Sequence, residues 1–459
     1  MIRLTALLAA WSLVGISQAQ VWEKMLAPGL TYRMEADLLT PRLIHAFRLS
    51  LASPEVRALP ELATGKVFRT NATDSRETLS AMTSRTGAIG GVNADFFPFN
   101  GDPLGLMIRN GELLSFASKR AVFWWNDSES GVGTCTTEAI LYLPEARSLT
   151  LDGWNEECGA NAVTLNTAVA GVSKAAAPCV QATYRIVDGS LSVGGAARLE
   201  LESVALDNPS VPVPEGRVVI AARGNKVSAL GPLFPGNAAS LTIRGTGLDW
   251  PRVKHALGGG PFLVRNGRIG IDASQQGFNA AFSANRHPRT AVGITSEGDV
   301  WVVTVDGRQS ISAGATLEET ARLMLRLGCV DAVNLDGGGS TTFNLFGITL
   351  NRPSDGRERP VANALLVFSD GLRSANGGGS AYSIPVPAAV KVGDVIQLKV
   401  VDKWGAAVPN LQVVWAGGGA GWIDQGGLFR ASAAGKGYLA AWIDGIIVRT
   451  SFDIAAKQP

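Results

Sequence analysis

The sequence predicts an α+β chain, predominantly β with few helices, closing in a small C-terminal β-sandwich. Three observations predict it. The 459 residues hold 54 glycines and 22 prolines, which cut the chain into many short apolar runs of strand length. A helical apolar period stands out over 316–327. Hydrophobic residues make up 46% and charged residues only 17%, enough apolar matter for the cores of two or three domains.

The elements follow in chain order. Residues 1–19 read as a signal peptide: Arg3 at the start, an apolar run over 4–16, and Ser17-Gln18-Ala19 as a small-x-small cleavage site. The apolar run is too short to span a bilayer. A catalytic body is expected over 20–370, with strands at 43–51, 88–97, 104–110 and 116–125, and a hairpin turn at Asn110-Gly111. Residues 127–215 are less patterned and are expected to be an insertion. Strands resume at 218–222 and 240–244. Residues 257–267 hold a triple glycine, Gly258 to Gly260, and a turn at Asn266-Gly267. A strand pair follows at 290–294 and 300–305. Thr316 is placed to cap the helix and Glu319 to complete a capping box. A short buried strand over 330–335 leads into a Gly-rich loop, and 362–368 is the last strand of the body. Residues 371–385 form a Gly/Ser-rich linker, and 386–459 carry the regularly spaced short strands of a sandwich.

Composition excludes some functions. A formal net charge of +2, with no basic run, gives no support for nucleic-acid binding. Export to the outside, the periplasm or the cell envelope makes disulfides permissible among Cys135, Cys158, Cys179 and Cys329, with Cys135–Cys158 the favoured pair. Their spacings are not those of a zinc site.

The chemistry concentrates at Asn334-Leu335-Asp336-Gly337-Gly338-Gly339-Ser340-Thr341-Thr342-Phe343. A strand aims the Asp336 carboxylate. Three glycines allow sharp turning and close approach, their amides can face an anion, and the hydroxyls can donate to sugar or phosphate oxygens. A Gly-rich turn merely supported by Asp336 is the plainer alternative. Other stretches share the composition of a site: Asn93 and Asp95 after an apolar run, His287, Arg289 and Thr290 around a strand start, Asp306 and Arg308 after a strand, and Asp355, Arg357 and Arg359 in one loop. Arginine forks match phosphate oxygens, and paired carboxylates act at a glycosidic carbon, so the mixture points to a glycosyl phosphate. No Gly-x-Ser-x-Gly elbow surrounds Ser340. No cofactor is implied. Ligation of a structural divalent cation by Asp95, Asp306 or Asp336 stays open, without a diagnostic spacing.

These motifs resemble those of the phosphodiester glycosidase family, and the resemblance runs along most of residues 85–370. Residues 334–341 look like its defining motif. Asn93-Ala94-Asp95-Phe96-Phe97 is similar to its Asn-x-x-Phe-Phe stretch, with Asp95 standing where glycine is common. Gly259-Gly260-Pro261 with Asn266-Gly267, 287–293, 306–308 and 353–361 also have counterparts. The resemblance implies hydrolysis at the anomeric carbon of a sugar held through a phosphodiester. On this reading Asp336 is the key carboxylate and Asp306 the second. Arg289 and Arg308 bind phosphate. Asn93, Asn334, Ser340 and Thr341 orient the sugar, and Gly337, Gly338 and Gly339 line the pocket. Asp95, His287, Thr290, Asp355 and Arg359 complete the substrate contacts. The C-terminal part resembles bacterial immunoglobulin-like repeats: a passive module, or a wall-binding one using Trp404, Trp415, Trp422 or Trp442. Two rival functions remain: an envelope protein that binds phosphorylated glycans without turnover, and a glycosidase acting on phosphate-free exopolysaccharide.

Overall fold

The computed structural model describes residues 19–37, 40–68, 75–98, 100–370, 381–443 and 445–457. All but the last residue of the expected signal peptide, and most of the expected linker, lie outside them.

An eight-stranded antiparallel sheet positions the candidate site. Its order is Gln20–Ala27, Leu30–Asp37, Arg42–Leu49, Val300–Val305, Arg289–Thr295, Cys329–Asn334, Phe262–Arg265, Arg268–Ile269. The strands Arg289–Thr295 and Val300–Val305 are buried along their whole length, and their apolar centres, Ala291–Ile294 and Val300–Val303, suit central strands covered on both faces. One cover is the helix Leu317–Arg326. Thr316 Oγ1 accepts the Glu319 amide at 3.1 Å, and the Glu319 carboxylate accepts the Thr316 amide at 2.9 Å, so the expected capping box forms. Leu317, Ala321 and Met324 pack with Ala291, Val303 and Ala332 of the sheet.

Two five-stranded sheets adjoin it. One holds Glu112–Ser115, Met107–Arg109, His255–Gly258, Ala121–Trp125 and Ser130–Thr134. The other holds Ile348–Thr349, Phe343–Leu345, Gly90–Asn93, Asn363–Ser369 and Val56–Leu62. The turn at Asn110-Gly111 joins its hairpin with both residues at positive φ, as expected.

Residues 127–215 are more regular than their sequence suggests. Most of their strands join Arg217–Arg223 and Ala238–Thr246 in a second eight-stranded sheet. Cys179–Gly189 and Ala196–Leu206 are its longest pair. Alternation is present in Ala196–Leu206, where Ala197, Leu199 and Leu201 face inward. The expected disulfide is absent: all four cysteines are buried free thiols. Cys135 packs in the core of this second sheet, whereas Cys158 sits in a separate small cluster with Cys179, its Sγ 3.4 Å from the Ala162 carbonyl.

The C-terminal strands form a four-stranded and a three-stranded sheet around Trp415, Phe429 and Leu439. This unit is not a free bead. Val414, Ala416, Trp422 and Ala440 join the same core cluster as Phe47, Phe343 and Leu345. Arg449 Nη2 donates to the Phe346 carbonyl at 2.9 Å. Of the four tryptophans expected as binding candidates, Trp415 and Trp422 are core residues and Trp442 packs against the main core, while Trp404 is exposed.

Candidate active site

Asp336 leaves the end of the strand Cys329–Asn334. The Leu335 amide donates to the Thr290 carbonyl and the Asp336 amide to the Ala94 carbonyl, each at 2.8 Å. These two bonds fix the start of the glycine loop and bring the Asn93–Asp95 corner against it. Asn93 completes the clamp. Its Nδ2 donates to the Asp336 carbonyl at 2.7 Å, while its Oδ1 accepts from Thr290 Oγ1 at 2.8 Å and the Thr342 amide at 3.1 Å. Asn334 Nδ2 donates to the Gly260 and Leu335 carbonyls. Asn93, Thr290, Asn334 and Thr341 are all buried. They hold the loop from behind, and none of the three expected to orient the sugar, Asn93, Asn334 and Thr341, lines the hollow in front of it.

In front of the loop lies a hollow of about 220 Å³. Asp336 and the three glycines form its floor, with Phe282, His287, Arg289, Arg308 and Arg359 around it. The glycines serve close approach more than anion binding by amides. The Gly337 amide donates to Asp336 Oδ1 at 2.8 Å and the Gly338 amide to the Pro288 carbonyl at 2.9 Å, so two of the three amides are committed. A Cβ on Gly338 would sit 3.2 Å from Arg308 Nη2, at a φ of +62°. A Cβ on Gly339 would sit 2.1 Å from Arg359 Nη2. Without side chains at these positions, two guanidiniums reach down onto the loop.

The cations differ in freedom. Arg308 lies 3.1 Å from His287 Nδ1. Arg359 is held by the Asp355 carboxylate at 2.6 and 2.9 Å and donates to Ser340 Oγ at 3.3 Å. Arg289 is buried over the Phe282 ring; its Nε and Nη2 donate to the carbonyls of Ala315, Phe282 and Asn285. Burial, with Arg308 nearby, lowers its pKa to about 10, so it adds charge to the wall with most of its donors already used. Burial and the Arg308 charge also depress the His287 pKa, which keeps the imidazole neutral near pH 7.

Burial pushes the Asp336 carboxyl up to about 6, against the opposing pull of Ser340, the Gly337 amide, Arg359 and Arg120. Behind it, Asp95 is buried. Its Oδ1 accepts the Phe96 amide at 2.8 Å, and its Oδ2 has no partner among the described residues. Burial raises Asp95 to about 7; the Phe96 amide and Arg120 pull the other way, and the Asp336 charge adds to the rise. Glycine is again required: a Cβ on Gly105 or Gly258 would stand 2.6 or 2.5 Å from Asp95 Oδ2.

Asp306, expected as the second carboxylate, does not reach the hollow. It is buried, its Oδ2 accepts the Arg352 amide at 2.9 Å, and its carbonyl accepts from Ser312 Oγ at 2.6 Å. The carboxylate whose field meets that of Asp336 is Asp95 instead. Among the described residues, no three His, Cys, Asp or Glu side chains converge as a metal site would need.

The sequence reading singles out none of Arg120, Phe278 and Phe282 for the site, and Phe96 only as part of the 93–97 stretch. The Arg120 guanidinium lies between the Phe96 and Phe278 rings, 5.0 Å from each centroid, and its charge acts on both Asp95 and Asp336. Phe278 and Phe282 stack at 4.7 Å. Their i, i+4 spacing ahead of the Asn-Arg-His-Pro-Arg stretch was the available signal.

Comparison with known proteins gives a concordant result. Residues 192–368 match the model of the phosphodiester glycosidase family. The N-acetylglucosamine-1-phosphodiester alpha-N-acetylglucosaminidase of Bos taurus is 41% identical over 108 residues, 22% of this chain and 20% of the relative. That of Homo sapiens is 38% identical over 108 residues, 22% of this chain and 21% of the relative. The SPbeta prophage-derived protein YomE of Bacillus subtilis (strain 168) is 43% identical over 82 residues, 18% of this chain and 13% of the relative. These matches therefore span about a fifth or less of each relative. A Synechocystis protein of known crystal structure aligns over 77% of this chain and 64% of its own, with a TM-score of 0.61 and 23% identity. The Burkholderia pseudomallei K96243 protein BPSS2145 aligns over 71% and 74%, with a TM-score of 0.57 and 21% identity. At those identities the likeness is one of fold.

Proposed function

We propose that this chain, whose residues 192–368 match the model of the phosphodiester glycosidase family, hydrolyses a sugar from a glycosyl phosphodiester, with N-acetylglucosamine the first sugar to test. The observation that carries the reading is a half-buried carboxylate, Asp336, on the floor of a hollow rimmed by Arg308 and Arg359. In this proposal the anomeric carbon meets Asp336 and the phosphodiester oxygens meet the two guanidiniums. The bond from the anomeric carbon to the bridging oxygen breaks, water supplies the new hydroxyl, and a phosphomonoester leaves. A phosphate leaving group needs charge neutralisation more than a proton, which matches a site rich in arginine.

Asp336 acts in its ionised form, as nucleophile or general base. Ser340 and Arg359 orient it. Asp95 and Arg120 set its field from behind and are positioning residues. Asp306 takes no direct part. Residues 20–370 form the catalytic body, and 386–459 an immunoglobulin-like unit fixed to it. The whole is exported after loss of residues 1–19 and acts on glycans of the envelope or outside it. Among the described residues no helix is long and apolar enough to cross a membrane.

The test is Asp336→Asn assayed on N-acetylglucosamine joined through one phosphodiester to an aryl group. The expected result is loss of turnover in a folded protein; unchanged turnover would remove Asp336 from the reaction.

A further inference from the structure

Between the body and the C-terminal unit lies a cleft of about 900 Å³, much larger than the 220 Å³ hollow. The two are neighbours along the chain at two points. Arg308 faces the hollow and Gln309 the cleft; Arg359 faces the hollow, while Arg357 and Glu358 face the cleft. Two segments, 308–309 and 357–359, therefore border both spaces.

The cleft is cationic. Arg352 and Arg357 stand on the body side and Lys436 on the C-terminal side. No ion pair joins Arg352 or Arg357 to an acid among the described residues, and Lys436 has an exposed partner, Asp453, at 3.1 Å. The acid among these residues, Glu358, already accepts from the Ser80 amide and hydroxyl and from Thr349 Oγ1. Its charge is spent on the wall, and the arginines are left facing water. Tyr438 adds an exposed ring on the C-terminal side. The cleft is also held open by fixed parts. A Cβ on Gly418 would lie 2.0 Å from the Thr349 carbonyl, so the two units touch backbone to backbone beside it.

We propose that this cleft binds a second phosphodiester of the same substrate, so that the protein takes its sugar from a linear chain of repeated phosphodiesters rather than from an isolated one. The proposal rests on reading the hollow as the sugar–phosphodiester site. A chain that enters the hollow at its sugar end continues over the 353–359 loop, and its next phosphates meet Arg357, Arg352 and Lys436. Cations on both sides of a groove, those of the body side free of ion pairs, steer and hold such a polyanion.

The experiment is calorimetric titration of the full chain with a synthetic, sugar-free linear oligomer of propanediol phosphodiesters. An oligogalacturonate of equal charge serves as the carboxylate comparator. The wild type is expected to bind the phosphodiester oligomer, less tightly as salt rises. The Arg357→Ala/Lys436→Ala double variant is expected to bind it about tenfold more weakly, a difference of ~1.4 kcal/mol. Both side chains are exposed, and circular dichroism checks the fold. Absence of binding, equal binding by the double variant, or tighter binding of the uronate would each overturn the proposal. Hydrolysis of the single-phosphodiester substrate reads the hollow separately. If that is absent while the oligomer still binds through Arg357 and Lys436, the reading of the hollow falls and the ligand class of the cleft stands.

Discussion

Gly339 and Arg359 approach so closely that a Cβ on the glycine would lie 2.1 Å from the arginine's Nη2. The arginine side chain is flexible, so an added methyl displaces it rather than breaking the fold. The displaced guanidinium loses Ser340 and moves away from Asp336. Gly339→Ala is therefore expected to fold with nearly unchanged thermal stability and to lose roughly 10²-fold in kcat/KM, the scale of a misplaced catalytic group. Steady-state kinetics beside a melting curve checks this, and full activity would show that the contact is incidental.

The same arginine sets a pH dependence. Burial holds Asp336 at about 6, with Arg359 among the groups pulling it down. A reaction that needs the carboxylate ionised gains rate as pH rises through about 6. Replacing Arg359 by Gln removes a charge that favours the ionised form, so the acid limb must move to higher pH. The height of the profile falls as well, through lost phosphate binding, and the midpoint is the informative quantity. A pH–rate profile with an unmoved midpoint would contradict the assignment.

Local signals carried much of this site. The Thr316–Glu319 capping box, the strand into Asp336 and the glycine run are each written within a dozen residues, and each forms. What the sequence hid is set by distant pairing. Asn93 meets the Asp336 carbonyl across 243 positions, and that contact, with the Asp336 amide on the Ala94 carbonyl, brings Asp95 beside the glycine loop. Asp306 and Asp336 look alike in sequence, each an Asp-Gly closing an apolar strand. They part because one carboxylate turns toward the Arg352 amide and the other toward the hollow. The second eight-stranded sheet was obscured for a related reason. Several of its pairings are long-range, such as Thr136–Leu143 with Ala238–Thr246, so alternation within one strand says little about its neighbour.

That difference between the two aspartates is measurable. Burial raises Asp306 to about 7, while an unfolded aspartate titrates near 3.9. Below pH 4 the group is protonated in both states and has no effect. Between about 4 and 7 the unfolded chain ionises first, so stability is lost as pH rises, and above 7 the penalty is constant. Asp306→Asn keeps an acceptor for the Arg352 amide and abolishes that penalty. It is expected to gain stability at pH 8 relative to pH 4, on the order of 1–4 kcal/mol, while hydrolysis of the single-phosphodiester substrate continues. Denaturation at the two pH values, with an assay at each, tests it. A dead but folded variant would return Asp306 to the reaction.

The docking of the C-terminal unit predicts how the molecule melts. Val414, Ala416, Trp422 and Ala440 share a core with Phe47 and Phe343, so separating the units exposes apolar surface from both. The wild type should therefore unfold in one calorimetric transition. Gly418→Val forces a side chain against the Thr349 carbonyl, which is backbone and cannot swing aside. Overpacking of this kind costs about 1–3 kcal/mol, and the strain falls on the contact between the units rather than inside either. The variant is expected to show two transitions, the lower belonging to the C-terminal unit with its own core around Trp415 and Phe429. The hollow lies in the body, so single-phosphodiester hydrolysis should survive up to the higher transition. A single transition shifted downward as a whole would mean that the two units fold as one, and that the C-terminal strands are part of the catalytic body itself.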